Sequence, residues 1–503
     1  MMADRKFRRR RSLHLLWVGC LLLEASWAAY PTSAAAQCTG AINSEASAAA
    51  CAAHQTPAPA IKEIDPDHTY SLPELIDIAE SNNPRTRVAW EQAKQAAERV
   101  GLAKSAYYPQ LAGTALFGNQ KFINPFPRPY APHGYTMVEN PEADAGLSLE
   151  YTIFDFGRHR AQLETSKAEQ LAAAANFERA NQDVAYLVVR AYYRLITAEE
   201  RLAAIRQIAE TARTTQAAAE AQLANGRSTL PDVLNARAGT AKTEYDLESS
   251  LGDDASARVE LREALGVEPS DAIAVVKPGA LPVASEISAS AAELVEVAVQ
   301  ERPDLAALAD KLHAVQEQLT AAHDAYRPTI DFSAKGSVQS IWPTVSQEYG
   351  STLADTTQFV WNVNLQIHWD FFDGGRRRSE VLARASEQRE AADELREKRD
   401  SITREAWTAY LQFRTATRQE QAAETLLKAA TTSYDASLDA YRYGVKNLVD
   451  LVSAESQLAE ARLACVQARS AVLTSAANLG YTTGEMLRTR PTVQAPTPGP
   501  ANP

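Results

Sequence analysis

The sequence predicts a mainly α chain that also carries a membrane β-barrel component: long antiparallel helical hairpins plus four transmembrane strands, laid out as two copies of one unit. Three observations predict this. Two runs of 68 residues, Arg158–Asn225 and Arg376–Tyr443, contain no glycine or proline. Four segments alternate apolar and polar residues with a period of two, as half-buried strands do. The landmarks between Ser71 and Ala236 recur, in order, between Ser290 and Ala454.

The helices come first. Both 68-residue runs are rich in Ala, Leu, Glu, Gln and Arg, the strong helix formers. At 1.5 Å per residue each reaches roughly 100 Å, against about 11–12 residues for an average helix. Each run stops at a glycine, Gly226 or Gly444, suited to a helix C-terminus. A second helical stretch follows each, at about 230–265 and 446–479, so each run folds back as a hairpin. Helices alone do not separate this from an ordinary coiled coil, whose small Ala-rich faces also allow close approach.

The strands decide. Trp361, Val363, Leu365, Ile367, Trp369 and Phe371 fall on one face, and Asn362, Asn364, Gln366, His368 and Asp370 on the other. Leu147 to Ile153 and Ile330 to Gln339 alternate in the same way, and Leu111, Gly113, Ala115 and Phe117 mark a weaker strand at about 110–118. Transmembrane strands need ~9–11 tilted residues, apolar outward and polar inward, with aromatics at the interfaces. Trp361, Trp369, Phe371, Tyr107, Tyr108 and Tyr151 supply those aromatics. Glu150, Lys335, His368 and Asp370 then face a barrel lumen. Four strands cannot close a barrel, since single-chain barrels begin at ~8 and an open edge in lipid leaves backbone groups unsatisfied. Several copies must contribute; two would give eight strands and three would give twelve, and spacing does not choose between them.

Repetition explains the length. ELIDIAESNNPRTRVA follows a Ser71/Glu74 capping box, and ELVEVAVQERPDLAALA follows one at Ser290/Glu293. Pro84 and Pro303, and Pro109 and Pro328, stand 219 apart. YTIFDFGRHR (151–160) matches WDFFDGGRRR (369–378), and LANGRSTLPDVLNA (223–236) matches YRYGVKNLVDLVSA (441–454), each 218 apart. The 503 residues divide accordingly: signal peptide 1–36, flexible segment 37–69, first copy 70–266, linker 267–289, second copy 290–487 and Pro-rich tail 488–503.

The N-terminus reads as an export signal. Arg5, Lys6 and Arg8 to Arg11 precede the apolar stretch Leu13–Leu23, and Ala34-Ala35-Ala36 fits a cleavage site, with Ser26-Trp27-Ala28 as a second candidate. The competing reading is a short N-terminal anchor, for which eleven residues are few. The longest fully apolar run, Leu15–Leu23, is far below the ~18 residues of a spanning helix. Residues 1–36 carry a net +4, so the chain's −12 becomes −16 after cleavage. That acidity disfavours nucleic acid as a partner. Cys20 leaves with the signal; Cys38 and Cys51 can pair in an oxidising compartment, and a lipid-anchored Cys20 or Cys38 lacks the preceding small residue or position. Cys465 is the fourth cysteine. No Cys/His cluster has metal-site spacing and no cofactor is expected. No phosphate-binding loop, dinucleotide fingerprint, zinc-protease helix or nucleophile elbow occurs, so an enzyme is not expected. Arg158, Arg160 and Arg376–Arg378 follow the strands directly and read as interface anchors.

Together these landmarks resemble the TolC-type outer-membrane efflux factors, over about residues 70–485. The resemblance implies a homotrimer with a twelve-stranded barrel in the outer membrane and a twelve-helix barrel in the periplasm of a Gram-negative bacterium. It implies outer-membrane lipids, a periplasmic adaptor protein and an inner-membrane pump of the RND or ABC type as partners, and a passive exit duct for small molecules or proteins, type I secretion included. The linker would form a belt around the helical barrel, and the loops at about 119–143 and 341–358 would face outside. The adaptor would dock on the hairpin tips at Gly226, Arg227, Ser228, Gly444 and Val445. The family's closed entrance uses an aspartate after each turn, matched by Asp232 and Asp450, and a tyrosine and basic residue at the second, matched by Tyr441 and Lys446. Lysine in place of arginine loses the bidentate fork, and Ser453 stands where some members carry a further acidic residue. A Lys446–Asp232 pair is expected at the tip, worth ~0–1 kcal/mol if exposed. The reading from another class is an exported periplasmic coiled-coil scaffold with no channel activity.

Overall fold

A computed structural model describes residues 62, 64, 65, 68–125, 127, 128, 133–268, 273–277, 290–342, 344, 345 and 355–484. The expected signal segment 1–36, Cys38, Cys51, the tail 488–503 and most of the expected linker 267–289 lie outside the described residues. The elements are β1 (Thr69–Tyr70), α1 (Leu72–Asn82), α2 (Pro84–Ser105), β2 (Gln110–Pro125), β3 (Tyr135–Phe154), α3 (Arg158–Ala224), α4 (Leu230–Leu265) and β4 (Ala274–Val275). They continue with α5 (Ala291–Glu301), α6 (Pro303–Asp324), β5 (Thr329–Ile341), β6 (Thr344–Val345), β7 (Thr356–His368), α7 (Arg376–Arg442) and α8 (Leu448–Thr483).

The duplication is visible in the helix lengths. α1 and α5 have 11 residues, α2 and α6 have 22, α3 and α7 have 67, and α4 and α8 have 36. Local chemistry sets the shared boundaries. The Ser71 N–H donates to Glu74 Oε2 at 2.7 Å, and the Ser290 N–H donates to Glu293 Oε2 at 2.7 Å, so both capping boxes form. Pro84 and Pro303 open α2 and α6, where a missing N–H and a fixed φ suit a first helical turn. The last helix runs to Thr483, four residues past the expected end, because Gly480 is carried inside the helix and Gly484 caps it.

Burial along the long helices follows the 3.5-residue period of a coiled coil. In α3, Val184, Val188, Ala191, Leu195, Ala198, Leu202, Ile205, Ala209 and Ala212 are buried at alternating steps of four and three. Ile402, Ala406, Ala409, Phe413 and Ala416 repeat the pattern in α7. Alanine at so many of these positions lets the helices approach closely. Over its C-terminal part α3 lies between α4 and α8; over its N-terminal part it lies between α2 and α6. α7 packs on α8 and then on α6. The end of α4 meets the start of α2, with Gly266 against Asn82 and Asn83, and the end of α8 meets the start of α6, with Gly484 against Glu301 and Arg302. The largest buried cluster gathers Leu75, Ile78, Val184, Val188, Leu195, Leu261 and Leu265 around the first junction, each side chain contributing about 1.5–3 kcal/mol of burial.

Near that cluster β1 pairs in parallel with β4, and the Lys62 backbone and Asn82 side chain exchange hydrogen bonds at 2.7 and 2.8 Å. The C-terminal end of the segment expected to be flexible is therefore tied down: its last residue, Thr69, is part of β1.

The sheet is antiparallel in the order β2-β3-β5-β7, with β6 paired to β3. β2 and β3 extend far into the region read from sequence as an external loop, to Pro125 and from Tyr135. That hairpin is held by polar cross-strand pairs: Asn119 to Glu139 at 2.7 Å and Gln120 to Glu142 at 2.9 Å. Such residues carry no apolar alternation, which is why the extension was illegible. β7 covers Thr356–His368. Trp369, Asp370 and Phe371, read from sequence as its last residues, instead lie in the turn to α7, where Trp369 Nε1 donates to the Tyr326 carbonyl at 3.0 Å. No described helix is long and apolar enough to cross a membrane.

Candidate functional site

The residues expected to carry function lie on two surfaces, the hairpin tips and the sheet. The tips are built identically. α3 ends at Ala224; the Gly226 N–H donates to the Leu223 carbonyl at 2.9 Å and the Arg227 N–H to the Gln222 carbonyl at 2.8 Å. α7 ends at Arg442; the Gly444 N–H donates to Tyr441 at 3.0 Å and the Val445 N–H to Ala440 at 2.8 Å. This crossed pair satisfies terminal carbonyls and needs a left-handed residue, and Gly226 and Gly444 have φ of 68° and 76°. Around the turns Tyr443 and Val445 are exposed, as is Leu230.

Below the turns the two hairpins share one core. Ala219, Val233 and Ala236 pack with Tyr434, Leu438, Tyr441, Leu448, Leu451 and Leu458. Gln222 Nε2 donates to the Arg442 carbonyl at 3.2 Å, tying one tip to the other.

The structure gives the gate candidates local partners. Asp232 is the N3 residue of α4, and its Oδ2 accepts from the Thr229 N–H at 3.0 Å, Thr229 Oγ1 at 2.6 Å and Ser228 Oγ at 3.2 Å. The Thr229 hydrogen bonds lower its pKa. Asp450 is the corresponding N3 residue of α8, and its N–H donates to the capping Asn447 Oδ1 at 2.8 Å. The expected Lys446–Asp232 pair does not form within the chain. Lys446 Nζ donates to Ser437 Oγ at 3.2 Å, and Asp232 Oδ2 is engaged in its own helix cap. Tyr441 is 6% exposed and its hydroxyl has no hydrogen-bond partner among the described residues.

The sheet sorts its residues by face. Paired across all four strands, Leu111, Leu149, Ala334 and Val363 share one row, and Gly113, Leu147, Gly336 and Trp361 the next. This face is apolar and open: Phe117 is 82% exposed, Trp361 70% and Leu365 65%. The other face holds the rows Gln110, Glu150, Ser333, Asn364 and Ala112, Ser148, Lys335, Asn362. Glu150 and Lys335 lie on this face. Asp144, unnoticed in the sequence, is the centre of this face: its carboxylate accepts from Ser337 Oγ at 3.1 Å and pairs with Lys335 at 3.5 Å. Its place in the Glu142–Asp144 alternation was the available signal. His368 ends β7 and pairs with Asp370 at 3.3 Å; Asp370 lies beyond the strand, so it belongs to the junction and not to the strand wall.

A further network escaped the sequence reading. Arg302, whose side chain is 2% exposed, forks onto Asp304 at 3.0 and 2.6 Å and reaches Glu405 at 2.5 Å, and Lys398 adds a contact to Asp304 at 2.8 Å. Burial opposes the charged carboxyl of Asp304, but Arg302 and Lys398 outweigh it and hold the group far below the ordinary carboxylate range. Beside it Arg179 sits 4.2 Å over the Tyr481 ring, which stacks on Tyr186 at 4.3 Å. Burial, with a hydrogen bond to Asp183, pushes the Tyr481 hydroxyl up to about 12.

Among the described residues no group of His, Cys, Asp and Glu could hold a metal ion. The model of the family described as outer membrane efflux protein matches residues 75–267 and again 294–485. Protein CyaE of Bordetella pertussis is 30% identical over 424 residues, covering 82% of this chain and 85% of that one. The outer membrane efflux protein BepC of Brucella suis is 22% identical over 390 residues, covering 77% and 80%. In structure the outer-membrane channel OprN superposes with a TM-score of 0.71 at 20% identity, covering 86% of this chain and 98% of that one. The chain belongs to the outer membrane efflux protein family, and it is an export channel of the Gram-negative outer membrane.

Proposed function

We propose that three copies of the chain close one duct, whose strands cross the outer membrane and whose helices extend into the periplasm, gated at the hairpin tips. One observation carries this: a sheet whose four long strands present one continuous apolar face and whose outer edges, β2 and β7, are unpaired among the described residues. An apolar face of this extent needs a non-aqueous partner. Open strand edges in lipid need pairing, and joining β7 of one copy to β2 of the next supplies it. Three copies give twelve strands, enough for a lumen lined by Glu150, Lys335 and Asp144. The helical layer ends the same way, with α4 and α7 at its two sides carrying exposed Tyr245, Leu251, Trp407 and Leu411 for the neighbouring copies.

The tips form the gate and the docking surface. Gly226, Arg227, Ser228, Gly444 and Val445 present the turns to a periplasmic adaptor, which couples the duct to an inner-membrane pump. Asp232, Tyr441, Lys446 and Asp450 set the entrance. Since Asp232 and Lys446 have other partners inside one chain, any pairing between them is made between copies. The chain supplies the passage and no chemistry.

The mass of the detergent-extracted protein, measured by light scattering, tests this. Three copies per particle are expected. A monomer, or release of the protein by osmotic shock without detergent, would contradict the proposal and favour a periplasmic scaffold.

A further inference from the structure

The two strand-to-helix junctions meet in a cavity that the export function does not explain. α3 starts four residues after β3, and α7 starts eight after β7. Their first turns, with the end of α6, line a half-open cavity of about 420 Å³. Its walls carry Arg158, Arg376, Arg377 and Arg384 against two carboxylates, Glu169 and Glu380. Its floor is small because α6 presents Ala321 and Ala325 there. On the duplicated helix α2 the positions 219 earlier hold Leu102 and Ala106, and Gln318 is replaced by Arg99. Ala106 matches Ala325, so the two copies differ here only at Leu102 for Ala321 and Arg99 for Gln318.

The four arginines are not equivalent. Arg377 is fixed: it bonds Asp373 at 2.7 Å and the Asp370 carbonyl at 2.6 Å, and lies 5.0 Å over the Tyr326 ring. Arg384 pairs with Glu387 at 2.9 Å and Glu380 at 3.7 Å. Arg376 reaches only Asp370, at 4.0 Å. Arg158 has no carboxylate within 4.0 Å among the described residues. The helix N-termini are already capped, the His159 N–H by Asp155 at 2.5 Å and the Arg377 N–H by Asp373 at 3.0 Å. Anion recognition in this cavity therefore falls to guanidinium groups. A planar fork with parallel N–H donors matches the oxygens of a phosphate.

We propose that this cavity binds a phosphate group, held by Arg158 and Arg376 with Arg377 and Arg384 as a fixed positive wall. The occupant is the phosphodiester headgroup of an outer-membrane phospholipid. The inference rests on the membrane reading above: if the sheet spans the bilayer, this cavity stands at its periplasmic boundary, at the depth of the lipid phosphates.

Native mass spectrometry of the full-length protein in detergent, titrated with phosphatidylglycerol, tests it. Diacylglycerol, which lacks the phosphate, and inorganic phosphate serve as comparison probes. Retention of phosphatidylglycerol about tenfold above diacylglycerol is expected, corresponding to ~1.4 kcal/mol. Arg158→Gln with Arg376→Gln should abolish the difference, and Arg158→Lys with Arg376→Lys should keep part of it through charge alone. Displacement of the lipid by millimolar inorganic phosphate would make free phosphate the occupant and overturn the lipid assignment. Equal retention by wild type and the Gln variant would overturn the site. Conductance of the Gln variant in a bilayer separates the two readings: a conducting variant with unchanged lipid retention contradicts only this site, whereas a wild-type protein that does not insert contradicts the membrane reading beneath it.

Discussion

Gly146 shows how closely the sheet is built. A Cβ placed there would lie 2.3 Å from Ser337 Cβ and 2.5 Å from the Gly336 carbonyl oxygen. Neither obstacle is the free end of a flexible side chain, so Gly146→Ala must push β3 from β5. Overpacking of this kind costs typically ~1–3 kcal/mol. A lower unfolding temperature of the β signal in circular dichroism is expected, with the far more abundant helical signal changed less. Arg302 makes a second prediction. Its removal leaves Asp304 with Lys398 as its remaining cationic partner, so the cost should fall below the ~3–5 kcal/mol of a fully unpaired buried charge, read as a lower denaturation midpoint for Arg302→Ala. The pH dependence has a definite sign. The folded carboxyl of Asp304 is lowered, and that of Glu405 is lowered by the same arginine. Their contribution is present above the unfolded values of about 4 and is lost as pH falls through the folded ones. Arg302→Ala should therefore lose stability at neutral pH and show a shallower further decline below about pH 4.

The elements differ in how far they could be read ahead. Both 67-residue helices were legible to within a residue, because nothing between Arg158 and Ala224 or between Arg376 and Arg442 interrupts a helix and glycine follows each. The apolar parts of the strands were legible from alternation. Residues 119–125 and 135–143 were not, since the adjacent apolar pairs Phe122–Val138 and Ile123–Met137 sit among polar ones and leave no period-two alternation. The junction network was invisible for another reason: Arg302 and Glu405 are 103 residues apart, and only packing brings them together. At the tips the turns were legible but the bonds were not, since Asp232 could be matched to a gate while its capping role depends on Thr229 and Ser228. The two roles separate experimentally. Asp232→Ala removes cap and charge together and should cost about 0.5–2 kcal/mol of helix stability. Asp232→Asn keeps an acceptor oxygen and removes the charge. If Asp232 gates the entrance, both variants, each combined with Lys446→Ala, should raise single-channel conductance. If it only caps α4, the Asn variant should conduct as wild type does.

At the scale of the whole molecule, one duplicated unit explains both the acidic, water-compatible composition and the membrane surface. Half of every strand is polar because it faces the other side of the sheet, so mean hydropathy stays at −0.31 although the sheet exposes a continuous apolar face. Among the described residues a single chain leaves two strand edges and two helical flanks unpartnered, and the proposed assembly would complete them. The most direct test is to add the purified full-length protein to a planar lipid bilayer and record current. Discrete conductance steps, increased by opening the tips through Asp232→Asn with Lys446→Ala, are the result predicted. A protein that neither inserts nor conducts, in wild type and variant alike, would contradict the account.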